Sequence, residues 1–488
     1  MYFRGVSLAT VLLGATSILA WNEDQVYQHV AVFSVDGLHS SDVGKYVALR
    51  PKSTIAQLLQ TGYEYTNAFT SAPSDSFPGT VAPFTGASPR TSGVWYDDIY
   101  DRSFYPPFSK NETRCEGPPG AEVEQDETLD YNSTELFSGG INPDNLPQAV
   151  VNGKCTEIYP HARLRVNTVF EIVEASGKQT AYTDKHPAYD LVRGPSGKGL
   201  TVGYFPEIAA IANTVDATIA YDQLHVNAFL DWIAGDGSTP DNSEIQGAGL
   251  TTTPTVFGGN FQAVSVGQKT AGYTNGTLTF TAPLLKALDF VDDSLGQVVS
   301  ALKAKNIYDD TLIIVASKHG QAPINPALYR KIDNALIAPA TGVNVSFVTA
   351  DDIALIFLED QSTLETAVQG LVKATSTLQI QDIIYGTRLT ALGFGDPKTD
   401  PAVPDIIVRP ELGVIYTTST AKIAEHGGLS DDDRHVACFV SGSGLKQTQF
   451  GQRVSTRQVA PTVLKVLGLN PGDLEGVKLQ GTEVLDGF

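Results

Sequence analysis

Short, unbroken apolar runs alternate along this chain with stretches in which apolar residues recur every three or four positions. The run VAVFSVDG, Val30 to Gly37, reads as a buried strand that ends in an acid and a glycine. TLIIVASKHG, Thr311 to Gly320, reads the same way, and DDIALIFLED and HVACFVSG repeat the signal later. Between them Leu288, Val291, Leu295, Val298 and Leu302 fall on one face of a helix that begins near Leu284. Shorter helices are expected over Ser53 to Leu59, Thr363 to Thr377 and Thr456 to Leu467. Strands alternating with helices predict an α/β fold. Strands that are apolar throughout, rather than at every second position, predict a mostly parallel central sheet with helices on both faces. Residues 96–160 are irregular, Pro/Gly-rich and acidic, and read as an insertion bordering the site. Residues 183–275 are also loop-rich and are expected to form a cap.

The ends of the pattern carry an address. Arg4 precedes an apolar run from Val6 to Leu19 that closes on Ala20. This run is short for a bilayer span and matches a secretory signal over residues 1–20, leaving 21–488 as the mature domain. No later segment reaches the eighteen unbroken apolar residues of a membrane span. Sequons at Asn111, Asn132, Asn275 and Asn344 fit a secreted, glycosylated protein. Cys115 and Cys155 bracket a Gly/Pro/Asn-rich stretch, where a disulfide would restrain a long loop in an oxidising compartment. Cys438 lies in an apolar run and reads as a buried free thiol. Three cysteines exclude a disulfide scaffold and a zinc ribbon.

Charge narrows the partners. Acidic residues outnumber basic ones 54 to 33, and a net charge of -21 excludes nucleic-acid duplex binding by phosphate neutralisation. A small anionic substrate held in a local pocket stays open. In an α/β sheet such a pocket forms at the carboxyl ends of the strands. Asp36, which follows one strand and precedes Gly37, can ligate a divalent cation or orient a base. Ser76 in SDSFPGTVAPFTG precedes Phe77-Pro78, the start of a helix, where free N–H groups stabilise an alkoxide or a phosphate oxygen. Lys318 and His319 end another strand, and burying either unpaired is costly. His426 precedes two glycines, and the loop YTDKHPAYD gathers Asp184, Lys185, His186 and Asp190.

The order of these motifs, from strand-VDG through the hydroxyl before Phe-Pro, the helix with VDDSLG and strand-SKHG to HGG, resembles the alkaline phosphatase superfamily. Within it, the chain is most similar to type I phosphodiesterase/nucleotide pyrophosphatase proteins, from about residue 29 to 468. The resemblance implies an α/β core and divalent metal, usually two zinc ions, with Ser76 as nucleophile and Asp36, His319 and His426 as metal ligands. It also implies hydrolysis of phosphodiester or pyrophosphate bonds in a small phosphate-containing substrate.

Lys318 stands where that family has a ligand carboxylate, and in GGNFQAVSVGQ Asn260 and Val264 stand in place of an Asp and a His. Three outcomes follow. Lys318 replaces a metal's charge beside Ser76, leaving one ion or none; Asp184 and His186, with Asn260, rebuild a different site; or the chain is a divergent member acting as a pseudo-enzyme or in non-phosphate, secondary-metabolism chemistry.

Overall fold

The computed structural model describes residues 27–242 and 249–488, so the expected signal segment lies outside the described residues. The apolar runs become an eight-stranded sheet. In chain order its strands are β1 (His29–Val35), β2 (Gly62–Tyr65), β3 (Thr180–Thr183), β4 (Val202–Tyr204), β5 (Val256–Phe261), β6 (Thr311–Ala316), β7 (Cys438–Ser441) and β8 (Thr448–Phe450). They lie in the order β8-β2-β7-β6-β1-β5-β3-β4, and only β7 runs against the rest.

The absence of alternation in β1 has a direct cause. Val30 and Val32 pack into one apolar cluster while Ala31, Phe33 and Val35 pack into another on the opposite face. Helix α1 (Ser76–Thr85) covers the first face. Helices α2 (Val215–Ala234), α3 (Ala263–Thr270) and α4 (Ala282–Ala304) cover the second. The predicted stripe on α4 is the buried one, and each of its leucines contributes about 1.5–3 kcal/mol by leaving water. Asp292 on the same helix is structural: its carboxylate accepts from Thr54 and Ile55 N–H at 3.0 and 2.7 Å, supplementing the Ser53 cap of the Thr54–Gln60 helix.

Two regions differ from expectation. Residues 183–275 supply β4, β5, α2 and α3, all part of the core; Lys185 and the turn from Pro187 to Arg193 border Ser76 and its helix. The apolar run of DDIALIFLED forms Ala354–Leu358 in a separate four-stranded antiparallel sheet. Leu355 and Phe357 face Trp95 and, from the 96–160 region, Ile99, while Ile356 and Leu358 face the helix Leu364–Lys373. Continuous apolarity reports burial on both faces, and an enclosed antiparallel strand has it too.

Cys115 and Cys155 are joined in a disulfide, which ties the Phe108–Asn111 turn region to the Gln148–Val151/Lys154–Glu157 hairpin. Cys438 is a buried free thiol, pushed up to about 12 by burial. Asn111, Asn132, Asn275 and Asn344 are all exposed. Among the described residues no helix is long and apolar enough to cross a membrane.

Candidate active site

Four neighbouring parallel strands, β6, β1, β5 and β3, end side by side. Their carboxyl ends deliver Lys318 and His319, Asp36, Gln262, and Asp184 with Lys185. Ser76 arrives from across the sheet as the first residue of α1, behind the N-cap Asp75, whose carboxylate accepts from Phe77 N–H at 3.2 Å. Gly79 lets this helix come so close: a Cβ there would lie 2.1 Å from the Lys318 carbonyl oxygen. Phe77 stacks on Tyr189 at 4.4 Å between centroids and seats the Pro187–Arg193 turn against α1. Gly37, at φ +80°, turns the chain away once Asp36 is placed.

Asp36 is fully buried among cations. Its Oδ1 lies 3.4 Å from Lys318 Nζ, and its Oδ2 lies 3.6 Å from both Lys185 Nζ and His319 Nε2. Asn260 adds an N–H donor to Oδ2 at 3.2 Å. Burial alone would raise the acid, but Lys318, His319 and Lys185 hold it well below the usual carboxylate range. Lys318 Nζ also reaches Asp184 Oδ1 and Tyr189 Oη, each at 3.3 Å. Lys185 Nζ donates to Ser76 Oγ and to Gln262 Oε1, each at 3.4 Å.

The two histidines complete the cluster. Their rings stack at 3.8 Å, and His319 Nδ1–H donates to the Gly320 carbonyl at 2.8 Å. His426 Nδ1 lies 3.6 Å from Asp75 Oδ1 and Nε2 lies 3.8 Å from Glu425 Oε1. Burial, followed by the charges of His319 and Lys269, holds His426 well below its ordinary value, so the ring is neutral. Burial would raise Glu425, but its ion pairs with Lys269 and Lys422 pull it down to about 2. A cavity of about 450 Å³ meets the cluster through Lys185 and Gln262 and is lined also by Glu127, His186, Lys269 and Lys422.

Thus Asp36, Ser76, Lys318, His319 and His426 come together. Asp184 joins them as a partner of Lys318, and Asn260 as a partner of Asp36. His186 turns its Nδ1 onto Glu207, 2.8 Å away. Val264 is buried in the apolar cluster under the sheet, and the residues of that segment that reach the site are Asn260 and Gln262. Lys185, Gln262, Tyr189, Asp75 and Glu425 complete the list. Lys185 was visible as the cation of YTDKHPAYD, directly after a strand; Gln262 carried no signal beyond its place after β5.

The gathered side chains do not fit the divalent ions that the resemblance implies. Beside Ser76 the Lys185 and Lys318 ammonium groups lie against the Asp36 and Asp184 carboxylates, with the Asp75 carboxyl directly before the serine. Bringing a dication to about 4 Å from one ammonium costs roughly 8 kcal/mol at an effective dielectric of 20. Among the described residues His319 Nε2, His426 Nδ1 and Asp36 Oδ1 are buried without a hydrogen-bond partner, with Asp36 3.6 Å from His319 and Asp75 3.6 Å from His426. The Lys318 and Lys185 ammonium groups, however, already stand against Asp36, where an ion would need it as a ligand. Among the described residues no group of three His, Cys, Asp or Glu side chains converges to hold an ion.

The fold has solved counterparts. Murine ectonucleotide pyrophosphatase/phosphodiesterase 5 superposes with a TM-score of 0.60 at 13% identity, over 91% of this chain and 96% of that one. An inactive form of the murine protein in complex with AMP gives the same values. The human protein of that name superposes at 0.58, again at 13% identity and with the same coverage. At this identity the likeness is one of fold. No curated protein matches the sequence. The model of the type I phosphodiesterase / nucleotide pyrophosphatase family matches residues 30–429. The chain therefore belongs to the type I phosphodiesterase / nucleotide pyrophosphatase family and is a hydrolase of that type.

Proposed function

We propose that the protein hydrolyses phosphodiester or pyrophosphate bonds through a covalent intermediate on Ser76, with Lys185 and Lys318 in the charge-stabilising role that the family resemblance assigns to metal ions. The carrying observation is Lys185 Nζ, 3.4 Å from Ser76 Oγ and 3.6 Å from Asp36, at the N-terminus of α1. An ammonium and free helix N–H groups beside one hydroxyl favour its alkoxide and the charge of a transferring phosphoryl group.

In the first step Ser76 Oγ bonds to phosphorus as the bond to the leaving oxygen breaks, and the hydroxyl proton ends on that oxygen. In the second, water attacks phosphorus, the Oγ–P bond breaks and Ser76 regains its proton. Lys318, held by Asp36, Asp184 and Tyr189, faces the nonbridging oxygens. The substrate enters from the cavity bearing Lys269 and Lys422, which suits a small anion. AMP bound to the murine neighbour supports a substrate of nucleotide size. We read residues 21–488 as one secreted domain carrying glycans at the four exposed sequons.

The test is to treat the purified protein with chelator, incubate it with bis(4-nitrophenyl) phosphate or a dinucleoside pyrophosphate, and quench it for peptide mass spectrometry. The reading expects an added phosphoryl or nucleotidyl mass on the Ser76 peptide. It also expects turnover at least about 10³-fold lower in Ser76→Ala. Undiminished turnover in Ser76→Ala would overturn the serine mechanism. Absence of both adduct and turnover in the natural protein would favour the catalytically altered member.

A further inference from the structure

A second cavity, of about 530 Å³, is bordered by the Phe69–Ala72 segment and lined by Arg434, Arg453 and Arg457. Several guanidinium groups elsewhere in this acidic chain pair with carboxylates: Arg50 with Asp289, Arg102 with Asp405, Arg165 with Asp400 and Arg388 with Asp382. None of the three cavity arginines makes an ion pair among the described residues, and no Asp or Glu lines the cavity. Three guanidinium groups thus gather on one cavity with no carboxylate in ion-pair contact, the opposite charges acting on Arg434 being those of Asp433 and Asp431 behind it in the chain.

Each guanidinium is nevertheless held in place. Arg434 donates from Nε to the Ser71 carbonyl at 3.0 Å and from Nη2 to the Thr70 carbonyl at 3.2 Å. Arg457 donates from Nη1 to Gln480 Oε1 at 2.8 Å and from Nε to Ser455 Oγ at 3.3 Å. Arg453 is exposed and lies over the Phe69 ring, 3.8 Å from its centroid. Burial, then repulsion from Arg453, pushes Arg434 down to about 10. Fixed forks with unused N–H donors around one polar hollow match the geometry of a tetrahedral oxyanion.

We infer that the cavity lined by Arg434, Arg453 and Arg457 is a binding site for a phosphate or sulfate dianion, separate from Ser76. The cavity exceeds what a bare oxyanion fills, and Phe69, Pro89 and Leu392 add apolar wall. A monoester with an organic remainder therefore fits as well as the free ion, and the dianion is the chemistry they share.

The test uses the full chain carrying Ser76→Ala, titrated calorimetrically with inorganic phosphate, sulfate and AMP at constant ionic strength. The expected result is saturable binding that Arg453→Gln, alone and with Arg457→Gln, weakens by at least about tenfold in Kd. AMP binding tighter than phosphate identifies an ester ligand; equal affinity identifies the free ion. Arg453 bonds no other group among the described residues, so Arg453→Gln should fold, and in the natural background it should leave diester hydrolysis unchanged. Binding indifferent to both substitutions, or no saturable binding, overturns the inference.

Discussion

Asp36 and Asp352 are buried aspartates in one chain, each beside a strand end, with opposite electrostatic surroundings. Asp36 sits where parallel strands deliver Lys185, Lys318 and His319, and is held ionised. Asp352 sits in the turn between Val345–Ala350 and Ala354–Leu358, where its carboxyl meets no cation among the described residues and shares a hydrogen bond with the Asp433 carboxyl. Burial, followed by the charges of Asp433, Glu425 and Asp351, pushes it well above the carboxylate range. Burial penalises both charges; what differs is whether neighbouring chain ends bring ammonium groups or more acids. The candidate cluster around Ser76 is thus a local inversion of a protein that is acidic almost everywhere else.

Removing the inversion gives the largest expected effect. Lys318→Met leaves Asp184 without an ammonium and Asp36 with one instead of two. Breaking a buried ion pair from one side costs about 3–5 kcal/mol, which urea denaturation would read directly. Adding Asp36→Asn to that variant should recover part of the loss. A cost well under 1 kcal/mol in the single variant would mean that Lys318 is not what keeps Asp36 charged.

Lys185 sharpens the contrast between stability and chemistry, because its ammonium touches Ser76. Lys185→Gln is expected to lower kcat about 10²-fold, as loss of one charge-stabilising donor does, with a smaller change in KM. An unchanged kcat would remove Lys185 from the reaction and leave it a structural partner of Asp36.

The acidic side of the comparison predicts a pH dependence. Asp352 is raised by burial and by its acidic neighbours, and burial raises Asp130 to about 8. Both are therefore protonated in the folded state at neutral pH and ionised in the unfolded chain. The fold then binds more protons than the unfolded chain between about pH 4 and 8. The stability these groups contribute is complete below about pH 4 and is lost as pH rises through their folded values. The expected outcome is a falling midpoint of thermal unfolding from pH 5 to pH 9. Asp352→Asn should flatten the fall by up to about 1.4 kcal/mol per pH unit. A profile that Asp352→Asn leaves unchanged would show Asp352 ionised in the fold and end the contrast with Asp36.

Much of this was legible in residue order, for reasons particular residues make plain. The stripe on α4 and the runs of β1 and β6 report their own burial, so the layers follow. Asp36, Lys318 and His319 are read as site residues because each directly follows such a run. Direction is another matter: the run in DDIALIFLED is as apolar as β6, yet it pairs antiparallel in a second sheet, since side-chain burial carries no record of strand polarity. Lys185 and Gln262 reach the site through contacts with residues 109 and 77 positions away. No local pattern encodes those distances. Val264, which motif register sets in place of a histidine, lies in the core because α3 turns that side chain under the sheet, while Gln262 just before the helix reaches the site.

Chelation is expected to do least of all, and that makes it informative. With Asp36, Asp184, Lys185 and Lys318 already balanced, an added dication meets two ammonium groups and gains few ligands. A ligand that binds the folded state stabilises it in proportion to the logarithm of its saturation, so a site with negligible affinity gives no shift. Dialysis against EDTA, followed by zinc, manganese or calcium, should leave both the unfolding midpoint and diester turnover within about twofold of their starting values. Loss of turnover on chelation, with recovery on one added ion, would place a metal among the lysines. It would show that Lys318 or Lys185 gives way to it, and the charge contrast between Asp36 and Asp352 would then rest on the ion rather than on the chain.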